Sequence, residues 1–228
     1  MKSLIQLNGV ITRCFKCPRL VAHREAIAKN PPLRHRGEKY WARPLPGFGD
    51  PDARIYIVGL APAANGGNRT GRIFTGDRSG DWLYGTLHSV GLANQSNSIA
   101  ANDGLQIFHT YIGAAVRCAP PDNKPTLQEF ANCHPYLVSE WNLLPKATVI
   151  IALGSIAYNA VKKLLKQLPE NAKFRFPPFG HGQKVELPKN KTILCSYHPS
   201  QQNTFTGKLT EPMFRQIFVQ AKFIAGLS

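Results

Sequence analysis

The 228-residue sequence predicts an α/β fold in which a parallel sheet is covered by helices on both faces. Three observations carry this. Four short apolar runs, at 55–60, 111–116, 148–153 and 192–196, are rich in β-branched and aromatic residues and lack polar alternation, as strands buried on both faces do. Segments of helical pattern separate or follow them, at 79–92, 126–144, 155–168 and 211–225. Each run also empties into a distinctive segment: glycines after 60, Arg117-Cys118 after 116, Gly154 after 153, and His198 after 196. Ligands of open α/β sheets bind beyond the carboxyl ends of the strands, so these residues, distant in the chain, are expected to be neighbours.

Taken in order, residues 1–13 read as a short helix leading to Cys14-Phe-Lys-Cys17-Pro18, and Val21 to Lys29 as a second that must end before Pro31-Pro32. Residues 30–54 have no period. There Arg34, His35, Arg36, Lys39, Tyr40, Trp41 and Arg43 suit either a track for phosphates or a solvated loop with Trp41 tucked inside. After the first strand, Gly59, Gly66, Gly67, Gly71, Gly76 and Gly80 make a pliable loop that can approach a ligand closely. Phe74, expected to be exposed, and Asp77 add an aromatic platform and an acid, as a planar ligand requires. The alternative is a plain connection with Phe74 in the core.

Ser79 is the expected N-cap of the 79–92 helix, with Gly91 near its end. Asn94 to Asp103 reads as loop, Thr126-Leu-Gln-Glu129 as a capping box, and Ser155 as the cap of a helix reaching about Leu168. Residues 171–190 are irregular or a hairpin. No repeat or linker divides the chain, so residues 1–228 are expected to form one domain.

A formal charge of +15, with 28 Lys and Arg against 13 Asp and Glu, implies a polyanionic partner, nucleic acid first. A membrane surface is the lesser option, because no amphipathic basic helix or long apolar span is present. The opening residues are too polar for a signal peptide, which points to the cytoplasm, at the nucleoid. In that compartment the five cysteines are metal ligands or core residues rather than disulfides. Cys14-x-x-Cys17 is a chelating pair, and Cys118 with Cys133 offers a second. Four thiolates suit a structural zinc or an iron–sulfur cluster, and spacing does not choose between them. Cys195, inside an apolar run, reads as a core residue.

These residues together resemble the type B (family 5) uracil-DNA glycosylases of thermophilic prokaryotes. The matching pieces are Cys14-x-x-Cys17, Gly59-Leu-Ala-Pro-Ala-Ala, Gly67-Asn-Arg-Thr-Gly-Arg72, Phe74-Thr-Gly-Asp77, Val116-Arg-Cys118-Ala-Pro-Pro, Cys133 and His198-Pro-Ser200. The resemblance implies a three-layer α/β/α sandwich with a central four-stranded parallel sheet, and a 4Fe-4S cluster on Cys14, Cys17, Cys118 and Cys133. It implies a monofunctional enzyme that hydrolyses the N-glycosidic bond of uracil in single- or double-stranded DNA, with hypoxanthine or xanthine as further bases. It also admits a replication clamp as partner, and a monomer is the default state. In the sibling type A enzymes the first motif carries a polar residue that positions water. Here Leu60-Ala61-Pro62-Ala63-Ala64 is apolar, and position 65 is Asn where related sequences suggest His.

Excision chemistry then assigns roles. The target nucleotide must leave the stack, and Phe74 is the platform for its base. Backbone N–H groups at Gly59, Leu60 and Ala61, with a neutral His198, are placed to stabilise the departing base's negative charge. Asp77 stabilises the sugar cation or orients water, or else caps the helix that follows. His198 is otherwise a core histidine satisfied by a carbonyl. Ser200 to Phe205, including Asn203, is expected to be a loop that fills the gap left by the flipped base or lies in the minor groove. A cluster would tie the N-terminal helix to the connection after the second strand. The competing class is a non-catalytic nucleic-acid-binding protein with a structural metal on the four cysteines. A phosphate-loop nucleotide enzyme is disfavoured because no G-x-x-x-x-G-K-[ST] pattern occurs.

Overall fold

The computed structural model describes residues 2–227. The chain opens with helices α1 (Leu4–Ile11) and α2 (Pro18–Lys29), then a short strand β1 (Phe48–Gly49). Strand β2 (Ile55–Gly59) leads through one helical turn, α3 (Gly67–Thr70), into α4 (Arg78–Ser89). Strand β3 (Thr110–Ala114), α5 (Leu127–Asn142), β4 (Val149–Leu153) and α6 (Ser155–Leu165) alternate. A hairpin of β5 (Lys184–Leu187) and β6 (Lys191–Ser196) follows, then α7 (Gln201–Phe205) and α8 (Glu211–Ile224).

The strands form one six-stranded sheet in the order β1-β3-β2-β4-β6-β5. Its centre, β3-β2-β4-β6, is parallel throughout, as the four apolar runs led one to expect. The edges β1 and β5 are antiparallel additions. Neither shows a buried-strand pattern: β1 is two residues long, and β5 alternates exposed with buried positions. Successive side chains of a strand point to opposite faces. Ile55 and Ile57 of β2 therefore join Leu83, Tyr84, Phe214 and Phe218 of α4 and α8, while Tyr56 and Val58 join Leu7, Leu137 and Tyr158 of α1, α5 and α6. The result is the three-layer sandwich. Among the described residues no helix is long and apolar enough to cross a membrane.

Several boundaries depart from expectation for local reasons. Helix α2 begins at Pro18 rather than Val21, because proline's fixed φ and missing N–H suit a first helical position. Helix α4 is capped by Asp77, not Ser79: Asp77 is extended, and its Oδ1 accepts the Gly80 N–H at 3.1 Å. Ser155 is the first residue of α6, not its cap; Gly154 holds that position at φ +93°, where a side chain would be strained. The capping box of Thr126 and Glu129 forms as expected. Residues 201–205 are a short helix capped by Ser200, where a loop was expected.

Candidate active site

A cleft of about 850 Å³ opens beyond the carboxyl ends of the central strands. The first motif, Leu60 through Gly66, forms part of its wall, with Phe74, Asp77 and Arg78 beside it and His198, Ser200, Gln201 and Gln202 also lining it. Arg34 and His35 line it too, whereas Trp41, from the same irregular segment, packs against the core. The expectation that Trp41 is tucked inside therefore holds.

Phe74 is not exposed as expected. It is buried within the core cluster while also lining the cleft, and its backbone has φ +53°. Gly59 explains how the ring fits: a Cβ there would meet Phe74 Cζ at 2.8 Å. The Phe74 ring lies 5.9 Å from that of His198, centroid to centroid.

The imidazole of His198 makes no hydrogen bond among the described residues, so it is not a core histidine satisfied by a carbonyl. Loss of solvation lowers its pKa from 6.5 to about 4, which leaves it neutral near pH 7. Its backbone is fixed instead, because the Asn203 amide donates to the His198 carbonyl at 2.8 Å. One of its two N–H donors is therefore used on the turn, and Asn203 is not among the cleft-lining residues.

The Gly59 and Leu60 carbonyls accept from Ala115 N–H and Val116 N–H at 3.0 and 2.9 Å. By contrast, the Leu60 and Ala61 N–H groups donate to no acceptor among the described residues. Gly59 packs behind Phe74 rather than lining the cleft.

Asp77 is the N-cap of α4 and also lines the cleft. One oxygen caps α4, and the other lies against Gly66, where any Cβ would collide with it. Burial raises the carboxyl pKa above its ordinary 3.8, opposed by the backbone N–H groups of Gly80 and Ser79.

Two further amides line the cleft. Asn65 Oδ1 accepts the Tyr40 hydroxyl at 2.9 Å. Asn123 follows the Cys118-Ala-Pro-Pro segment, and both it and Asp122 have positive φ. Asn123 was missed in the sequence; the Pro-Pro-Asp-Asn turn immediately after a strand-end motif was the signal that could have found it.

Behind the first motif lies a small cavity lined by Cys14, Cys17, Cys118 and Cys133. Ala61 packs against the same cluster of side chains, so this centre adjoins the cleft wall. Cys195 lies apart, in the core on β6 itself. Among the described residues no three His, Cys, Asp or Glu side chains are placed to hold a single metal ion. Arg24 supplies an independent test of fit. It is fully buried, its Nη1 donates to Cys118 Sγ at 3.1 Å, and its Nε and Nη2 have no partner among the described residues. An uncompensated buried charge costs several kcal/mol, so the site calls for an anionic neighbour. An iron–sulfur cluster on four thiolates is net anionic, and it fits.

Known proteins resemble this chain along nearly all of its length. The family model described as the uracil DNA glycosylase superfamily matches residues 46–222. The chain is 48% identical over 226 residues to the type-5 uracil-DNA glycosylase of Mycobacterium leprae, covering 99% of this chain and 97% of that protein. It is 49% identical over 217 residues to the type-5 uracil-DNA glycosylase of Thermus thermophilus, with 95% and 96% covered. Similarity to the type-4 uracil-DNA glycosylase of Pyrobaculum aerophilum is lower, at 29% over 168 residues, with 73% and 68% covered.

Proposed function

Because this chain belongs to the uracil-DNA glycosylase superfamily, and within it to the type-5 uracil-DNA glycosylases, we propose that its cleft holds a uracil flipped out of DNA and releases it by hydrolysis. The protein is a DNA-repair glycosylase. The observation that carries the site assignment is the meeting of Phe74, Asp77 and His198 on one cleft, beside two N–H groups that have no acceptor among the described residues.

The +15 charge holds the phosphate backbone and sets register, with Arg34 and Arg78 at the cleft. The base stacks on Phe74. As the C1′–N1 bond lengthens, positive charge grows on the sugar and negative charge on the base. Neutral His198 donates an N–H to the base oxygen, and the Leu60 and Ala61 N–H groups add to the same anion hole. Asp77 faces the sugar, stabilises its cation and orients the attacking water, in place of the acid that the apolar first motif lacks. Asn123 and Asn65 present amides to the base edge. The small side chains of Ala61, Ala63 and Ala64 leave width in the pocket, which supports acceptance of hypoxanthine and xanthine as well as uracil.

Cys14, Cys17, Cys118 and Cys133 hold a 4Fe-4S cluster, which serves as a structural brace between the N-terminal segment and the wall of the cleft. The enzyme works as a monomer at the nucleoid. The test is incubation with an oligonucleotide carrying one uracil, followed by alkali: strand breakage at that position supports the reading, and an intact strand overturns it.

A further inference from the structure

We propose that Arg24 is the built-in counter-charge of the cysteine-held centre: a positioning residue that donates N–H groups to its sulfurs and favours its more electron-rich state. This rests on reading that centre as a 4Fe-4S cluster.

Three arginines are buried among the described residues: Arg24, Arg72 and Arg117. Arg72 pairs with Asp103 at 2.6 Å and Arg117 with Glu140 at 2.5 Å. Arg24 alone has no carboxylate partner among the described residues, although it is as deeply buried as either. Its place explains the difference. It stands seven residues after Cys17 on α2, two helical turns on, and so shares the face that begins at the chelating pair. Arg24 lines the same cavity as the four thiols, with one N–H on Cys118 Sγ and the Phe15 ring 5.1 Å from its guanidinium carbon. The two nitrogens without partners are the donors left for the centre's remaining sulfurs.

Arg24 also bears on the cleft, through its backbone. Its carbonyl accepts the amide of Asn68, a fully buried residue of the glycine segment, at 3.3 Å. A side-chain substitution leaves that bond in place, so charge can be removed without cutting the tie between α2 and the cleft.

Positive charge and N–H···S bonds at a cluster raise its reduction potential, and loss of such an outer contact commonly weakens metal retention about 10-fold or more. The experiment compares full-length wild type, R24Q and R24K by iron and sulfide content, visible absorption, midpoint potential, and bleaching rate under a chelator. R24Q should remain brown but show a more negative potential and about 10-fold faster bleaching. R24K, which keeps the charge with fewer donors, should restore most of the potential and bleach at an intermediate rate. Wild-type potential and bleaching in R24Q overturn the proposal. So does an R24K potential displaced as far as that of R24Q. If R24Q does not fold, R24K decides alone, and bleaching at the wild-type rate in folded R24K overturns it. A colourless, iron-free wild type would sink the cluster reading itself, whereas a brown wild type with indifferent variants sinks only the role of Arg24.

Discussion

The rings of Phe74 and His198 lie 5.9 Å apart, centroid to centroid, with their planes inclined by 30°. A base sandwiched between two rings needs about 7 Å, twice the ~3.5 Å contact distance of carbon atoms. The flipped base is therefore not clamped between them. In the proposed function it stacks on Phe74 while His198 meets its edge, which separates the two roles and makes each testable alone.

Phe74→Leu keeps apolar bulk in the core and removes the π face. Base–aromatic stacking is worth roughly 1–3 kcal/mol, so single-turnover excision should fall about 5- to 150-fold. Affinity for undamaged duplex should stay unchanged in a titration. Equal losses in both measurements would refute the stacking role.

Asp77→Asn separates capping from chemistry. Asparagine is as good an N-cap as aspartate, so thermal stability should hold to within about 0.5 kcal/mol. The charge is lost, and excision should drop about 100-fold or more, the lower end for a positioned catalytic group. A variant that excises normally would leave Asp77 as a cap and nothing else.

His198 carries a pH signature. In the unfolded chain its imidazole takes up a proton near pH 6.5, and in the folded chain only near pH 4. Acid therefore favours the unfolded state in that window: the His198 contribution is complete above about pH 6.5 and is lost as pH falls through about 4. Denaturation midpoints at pH 7.5 and 4.5 should differ less in His198→Gln than in wild type. The same variant should excise about 100-fold more slowly at neutral pH.

Phe205, at the end of α7, is exposed, and the Arg78 guanidinium lies 4.3 Å from its ring centroid. An apolar side chain beside the cleft and braced from below is placed to fill the gap in the stack. Phe205→Ala should slow excision from duplex DNA more than from single strands, since only the duplex needs the gap filled. An equal effect on both substrates would assign Phe205 elsewhere.

The central sheet was legible because its four strands are apolar without interruption, and the strand ends located the cleft. What stayed hidden depended on tertiary context. The strand β1 pairs through two residues, too few to show a pattern. Phe74 read as exposed because it sits amid glycines, yet one of them, Gly59, leaves the room that admits its ring to the core. Asp77 and Ser79 are both good caps on paper; which one caps was settled by the extended backbone at Asp77. Asn203 has the composition of a contact residue, but it donates to the carbonyl of His198 and does not line the cleft. Arg24 sits in a helix of ordinary charge pattern, and nothing local marks it as fully buried beside Cys118.

The most direct measurement is free uracil released from a uracil-containing duplex by protein whose iron content is intact, quantified chromatographically across pH and temperature. The expected result is stoichiometric uracil in single turnover from wild type, with release slowed about 100-fold or more in His198→Gln and Asp77→Asn. Intact, DNA-bound protein that liberates no base under any of these conditions would contradict it.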